Sequence, residues 1–413
     1  MSCANTIGWR LLIKHAALTS LSALSFLEPS VQAAEPAPVD LTAQVDAIFE
    51  DFVGQPGCNV GVARSGKLVL ERSYGLADVA NVVPLSPETR FDIGSMTKQF
   101  TAAAVLILAD QGKIGLDDDI HRYVPELPNY GVKVSIRQML HHISGIMDEG
   151  ELLKLSGWVY GEAQSAHDAL WALTRMPTLN FAPGTRQSYS NGNYVLLGLV
   201  VERVSGQPLG AYLQSTIFGP LGMTHTMLAH DDTVVVPHKA RAYLIDGLPR
   251  LMENRGEASG AGGIVTTVGD LALWERNFDN PKVGGAKVMA EMEAVEPLAD
   301  GSDNNYAAGL FIRSYRGLRA VEHDGGNGGF NADKVRFPSA GLTFIDLCNR
   351  RDPANIIRKL HQVADLYLGL APEGSSPGQV SRVAAAKWPT TDLAVLAGPY
   401  LNADRWDFHI FTI

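Results

Sequence analysis

Ser95-Met96-Thr97-Lys98 runs directly into an apolar stretch from Phe100 to Leu108, and that juxtaposition sets the architecture of the chain. Residues three apart on a helix are neighbours, so a hydroxyl and an amine share one face of one turn. The stretch after Lys98 is apolar nearly all round, as in a helix through a domain centre, and Gly112 supplies a C-terminal stop. Ser95 therefore stands at the N-terminus of a buried helix, where the dipole and free N–H groups favour developing negative charge. A lysine buried there loses hydration, its pKa falls, and it can take or relay a proton. Alone, Ser95 is also what an ordinary N-cap looks like.

Two further clusters bear on the choice. Tyr189-Ser190-Asn191, inside Gln187 to Tyr194, reads as a polar loop ahead of the apolar run Val195 to Val201. A phenol and a carboxamide two residues apart can reach one site from it; the plainer alternative is a polar turn. His323-Asp324-Gly325-Gly326, followed by Asn327-Gly328-Gly329-Phe330, lets a backbone pass close to a ligand and point an N–H at it. Its plainer alternative is a glycine-rich hairpin with an incidental histidine.

In the order SxxK, YxN, HxGG, the three resemble the serine β-lactamase and penicillin-binding-protein superfamily, on its class C-like branch of esterases, D-alanyl-D-alanine carboxypeptidases and D-aminopeptidases. Phe91-Asp92-Ile93-Gly94, Met139-Leu140-His141-His142-Ile143-Ser144-Gly145-Ile146, Pro183-Gly184-Thr185, Ile217 to Met223 and Gly262 to Thr267 are similar to family segments as well. The likeness covers about residue 40 to residue 370. It implies an α/β (α+β) fold, a central antiparallel sheet flanked by helices, with a mainly helical domain inserted at about 115–250.

For chemistry, the resemblance implies an acyl-enzyme on Ser95. Lys98 and Tyr189 share the general-base work, the tyrosine through a pKa depressed by the neighbouring ammonium. Asn191 orients Lys98 and contacts substrate, and the backbone N–H groups of Ser95 and Gly326 form the oxyanion hole. Gly325 and His323 bind substrate. His323 stands where β-lactamases carry lysine, and a histidine is mostly neutral near pH 7. That departure favours a serine hydrolase of small esters, D-amino-acid amides or peptides. A class C-like β-lactamase or D,D-carboxypeptidase, and a non-catalytic penicillin-binding sensor, stay open as alternatives. No glutamate stands out by pattern for a class A type of deacylation.

The composition is compatible with this reading. The chain has 413 residues, 46% of them hydrophobic, and a formal charge of −10, enough length to bury a large core. Such acidity argues against nucleic acid or anionic membrane as partner. Arg10 and Lys14 ahead of the short apolar stretch Ala16 to Leu27, then Val31-Gln32-Ala33, look like an export signal over residues 1–33. That stretch is too short for a permanent membrane span. Export points to a periplasm. No metal or cofactor is expected, because His141-His142 are adjacent and cannot share a helix face, and Gly260 to Gly263 lack a phosphate-loop ending. Both histidines read as buried and structural. Oligomeric state is not legible.

Spacing predicts an amphipathic helix from Leu41 to Phe52, strands at Asn59–Arg64 and Leu68–Tyr74, and a capping box at Thr267-Val268-Gly269-Asp270 before a helix over 271–278. Strands return near His323, at Ala332–Phe337 and at Leu342–Cys348, and Asp352-Pro353 opens the last core helix, so that the hydrolase domain spans 34–370. Residues 371–390 read as a linker. Residues 391–413 read as the start of a β domain, incomplete, either a remnant or a truncated product. Cys3 leaves with the signal. By the family's pairing of first and last strands, Cys58 and Cys348 come together, and export permits a bridge; two separate buried thiols are slightly favoured. Trp158, Tyr160 and Trp171 could line an acyl pocket, but Trp158 and Tyr160 better suit loop packing and Trp171 a helix core.

Overall fold

The computed structural model describes residues 40–158, 165–229, 234–252 and 259–371, with the backbone of strands Gly398–Leu401 and Phe408–Phe411. Six strands make the central sheet: β1 Cys58–Arg64, β2 Lys67–Tyr74, β3 Phe311–Tyr315, β4 Leu318–Asn327, β5 Phe330–Phe337 and β6 Leu342–Cys348. Their order is β3-β4-β5-β6-β1-β2, antiparallel throughout. The N-terminal hairpin thus completes a sheet whose other strands lie more than two hundred residues later. Every residue of β5 and β6 is buried, because helices cover both faces.

On one face lie α1 (Thr42–Ile48) and α5 (Pro353–Leu368), burying Val45, Phe49, Val60, Phe344, Ile356 and Val363. The amphipathic pattern from Leu41 to Phe52 resolves into α1 and a 3-10 turn, Glu50–Phe52. On the other face lie α2 (Lys98–Asp110), α3 (Asn191–Ser205) and α4 (Val268–Asp279). Thr267 caps α4 by accepting the Asp270 N–H at 3.2 Å. α2 is buried from Lys98 to Leu108, and Trp274 of α4 donates to its Gln99 at 2.7 Å.

Cys58 and Cys348 stand directly opposite in register and form a disulfide. This corrects the slight preference for separate thiols: the pairing of β1 with β6 brings the two Cα atoms to 4.0 Å, within reach of a bridge. Trp171 is also corrected. It is 42% exposed rather than in a helix core, with the Arg175 guanidinium 4.0 Å from its ring centroid. Between residues 115 and 250, short helices Ile136–Leu140, Glu149–Leu155 and Ala166–Leu173 precede α3. Gly398–Leu401 pairs antiparallel with Phe408–Phe411. The residues expected as a signal (1–33), Tyr160 and residues 372–390 of the expected linker lie outside the described residues. Among the described residues no helix is long and apolar enough to cross a membrane.

Candidate active site

A 3-10 turn, Gly94–Thr97, leads into α2. Residues three apart eclipse in such a turn, so Lys98 Nζ lies 3.0 Å from Ser95 Oγ. Between Phe91 and Leu108, Ser95 is the one residue that is not buried. The turn is pressed onto β4. Gly94 has φ +48°, and a Cβ there would come 2.7 Å from the Gly326 nitrogen. A Cβ on Gly325 would come 2.0 Å from the Ile93 carbonyl. Asp92 ties the two segments together, accepting the Gly94 N–H and the Asn327 side-chain amide, each at 2.8 Å. Of the two strand glycines, Gly326 is exposed at this junction, while buried Gly325 serves the close approach.

Lys98 is fully buried. Its Nζ also donates to Asn191 Oδ1 at 2.7 Å and to the Ala261 carbonyl at 3.0 Å. Burial pushes its pKa down to about 7, against the opposing pull of Glu149, Asp148 and Asp324. The two fixed acceptors can take both hydrogens of a neutral amine, which leaves the lone pair facing the Ser95 hydroxyl. Asn191 opens α3, and its N–H donates to Asp148 Oδ2 at 2.7 Å.

Tyr189 flanks the same pair, its ring centroid 4.9 Å from Lys98 Nζ. Its hydroxyl is shielded and has no partner at full hydrogen-bond distance among the described residues, the Ser95 hydroxyl being the one side chain that interacts with it favourably as an anion. Burial pushes its pKa well above that of an ordinary phenol, with the Ser95 hydroxyl pulling weakly the other way. This reverses the expectation of a tyrosine depressed by an ammonium: the lysine is the desolvated base, and the phenol keeps its proton.

His323 is buried in the wall of the site. Its Nδ1–H donates to the Asp324 carbonyl at 2.6 Å, so Nε2 accepts the Tyr306 hydroxyl at 3.0 Å. Burial lowers its pKa to about 3. Neither nitrogen offers a substrate a hydrogen, and the site has no cation at this position.

Sequence reasoning missed three residues here. Tyr306, fully buried, braces His323, and nothing in the segment Ser302 to Leu310 marks it. Asp148 and Glu149 follow the His-His-Ile-Ser-Gly segment, and the spacing of Asp148 to Glu151 is a helix-cap signal that could have found the first. Glu149 is 5% exposed with Oε2 unpartnered. Burial drives its pKa well up, Asp148 adds to that, and Lys98 opposes it. Among the described residues no group of His, Cys, Asp and Glu side chains is arranged to hold a metal ion.

The family model described as Beta-lactamase matches residues 45–368. The chain belongs to the beta-lactamase family. This beta-lactamase-family chain is 29% identical over 296 residues to a D-aminopeptidase of Brucella anthropi, covering 71% of this chain and 56% of that one. It is 29% identical over 311 residues to a D-aminopeptidase of Brucella canis, covering 75% and 59%. The chain thus spans less than two thirds of the length of these curated relatives. Among solved structures, a penicillin-binding protein homologue from Pyrococcus abyssi superposes with a TM-score of 0.69 at 25% identity, over 81% of this chain and 77% of that one. The D-amino acid amidase of Ochrobactrum anthropi SV3 shares the fold, with a TM-score of 0.67 at 24% identity over 80% and 98%. The mixed fold of antiparallel sheet and flanking helices is that of the family.

Proposed function

We propose that the chain is an exported serine hydrolase that forms an acyl-enzyme on Ser95 and hydrolyses small D-amino-acid amides, peptides or esters. The observation that carries this is the Ser95 hydroxyl held 3.0 Å from a fully buried lysine whose pKa is about 7. Ser95 Oγ attacks the carbonyl carbon while its proton passes to Lys98 Nζ. The Ser95 and Gly326 N–H groups receive the oxyanion. Tyr189 Oη–H protonates the departing amine or alkoxide and is reprotonated through Lys98. Water then attacks the acyl carbon, giving its proton to Lys98, which passes it to Ser95 Oγ as the acyl–oxygen bond breaks and so restores both groups.

Three observations support amino-acid amides within that range. The curated relatives are D-aminopeptidases. His323 carries no charge with which to grip the carboxylate that a β-lactam or a C-terminal D-alanine presents. Glu149, the strongest charged influence on Lys98, is a buried carboxyl without a partner at Oε2; an arriving substrate ammonium would ionise it and bind. The Cys58–Cys348 bridge supports export, since such bonds persist in oxidising compartments.

Intact-mass spectrometry with a fluorophosphonate and with a p-nitrophenyl ester, comparing wild type with Ser95→Ala, tests the reading. One adduct on Ser95 with ester turnover is expected, followed by faster cleavage of D- than L-amino-acid amides. A folded wild type that takes no Ser95-dependent adduct would sink the hydrolase; one that labels once and never recovers would make it a sensor.

A further inference from the structure

The hydroxyl of Tyr189 is held by nothing firmer than the Ser95 hydroxyl beside it, yet proton transfer to a leaving group tolerates little misplacement. Its position has to come from what holds the loop, and one residue holds it at three points. The His142 carbonyl accepts the Ser188 N–H at 2.9 Å. His142 Nδ1 accepts the Ser190 N–H at 3.2 Å. The imidazole itself backs the Tyr189 ring at 4.3 Å between centroids and meets the Tyr306 ring at 4.4 Å, and those two rings contact each other edge-on at 5.8 Å. The residues before and after Tyr189, and its ring, are therefore all gripped by His142.

The chemistry of the imidazole shows which atom matters. Asn193 Nδ2 also donates to Nδ1, at 3.1 Å, and Ser144 Oγ donates to Asn193 Oδ1 at 2.5 Å, which sets the amide that way round. With two donors on Nδ1, the ring proton resides on Nε2. Nε2 is buried without a partner, a cost of about 1–3 kcal/mol that an apolar filler would not incur. The backbone is in the left-handed region, φ 55°, which disfavours a bulky residue chosen merely to fill space. We propose that His142 is a positioning residue for Tyr189, acting through Nδ1 as the acceptor that pins the Ser190 amide. The inference rests on the acyl-enzyme reading and adds to it a residue outside the three motifs.

Asparagine and glycine both tolerate the left-handed backbone, but only asparagine keeps an acceptor near the place of Nδ1. In ester turnover by the full chain, His142→Gly is expected to lose about 100-fold in kcat with KM changed less than about threefold. His142→Asn is expected to recover most of that loss. In the wild type, nitrogen-15 NMR of the imidazole should show Nδ1 bare and Nε2 protonated. Equal kcat in the two variants, whether both active or both impaired, overturns the inference, as does a ring protonated on Nδ1. Variants that lose thermal stability alone, with wild-type kcat, overturn it as well. A wild type that takes no Ser95 adduct removes the acyl-enzyme reading and this inference with it; a labelled wild type with indistinguishable variants removes only the inference.

Discussion

At the scale of single residues, burial sets the protonation states around Ser95. Lys98, with a pKa lowered to about 7, is a base only when neutral. The acid limb of kcat/KM should therefore fall away as pH drops through about 7, and a pH profile that stays flat from 5 to 8 would contradict a lysine base. Lys98→Arg, which cannot deprotonate, should abolish acylation. Glu149 should act on the substrate's charge and not on its carbonyl. Glu149→Gln is expected to raise KM for a D-amino-acid amide about tenfold or more, one charge-assisted contact being worth about 1.5–3 kcal/mol, while KM for an uncharged p-nitrophenyl ester stays within twofold. Equal effects on both substrates would remove Glu149 from ammonium recognition. The serine, lysine, tyrosine and asparagine were legible because their chemistry comes in short spacings, each pair at the start of one helix. Glu149 and Tyr306 were not, since what distinguishes them is burial beside groups far away in the chain.

At the scale of elements, the central sheet buries charge in two ways with opposite consequences. Lys334 of β5 meets Glu275 of α4 at 3.0 Å, both side chains 1% exposed, and Arg336 approaches the same carboxylate at 3.4 Å. Removing one member of such a set leaves the others buried and uncompensated. Glu275→Gln should cost about 3–5 kcal/mol in chemical denaturation, and a loss under 1 kcal/mol would show the set to be dispensable. Asp333 and Asp346 instead face each other across β5 and β6 as like charges. Burial drives both carboxyls well above the usual range, and for Asp333 the charge of Asp346 adds to it. A carboxyl whose pKa is raised by folding contributes stability at low pH and loses it as pH rises through the folded value. Asp346→Asn should thus stabilise on the order of 1 kcal/mol at pH 8, with the gain shrinking towards pH 4; an equal gain at both would exclude the linkage. These strands were found from sequence at β1, β2 and β6 to within a residue. Only the pairing of β1 with β6 was supplied, by family likeness, because alternation says nothing about partners, and β5, expected at Ala332–Phe337, begins two residues earlier at Phe330.

At the scale of the molecule, the disulfide closes a loop of 290 residues. Loop closure of that length is worth about 6 kcal/mol in the chain-entropy account, so Cys58→Ala/Cys348→Ala should lower stability by several kcal/mol while kcat of the folded fraction is kept. Alkylation before reduction should leave both cysteines unmodified, and prompt labelling would exclude the bridge. The sequence left this point open, since a bridge depends on register between segments that no local pattern connects.

The arrangement of the sheet also orders events in time. β1 emerges early in synthesis, but its neighbour β6 ends at Cys348, so the hairpin at the N-terminus waits for most of the chain before its sheet can close. The nucleophile waits too. Ser95 and Lys98 are made in the first quarter of the polypeptide, the Lys98 acceptors come at Asn191 and Ala261, and the backbone that completes the site comes at Gly326. A chain extended only as far as Ser95 and Lys98 carries the serine without its base poised or its oxyanion partner present, and is chemically silent until β4 has joined it.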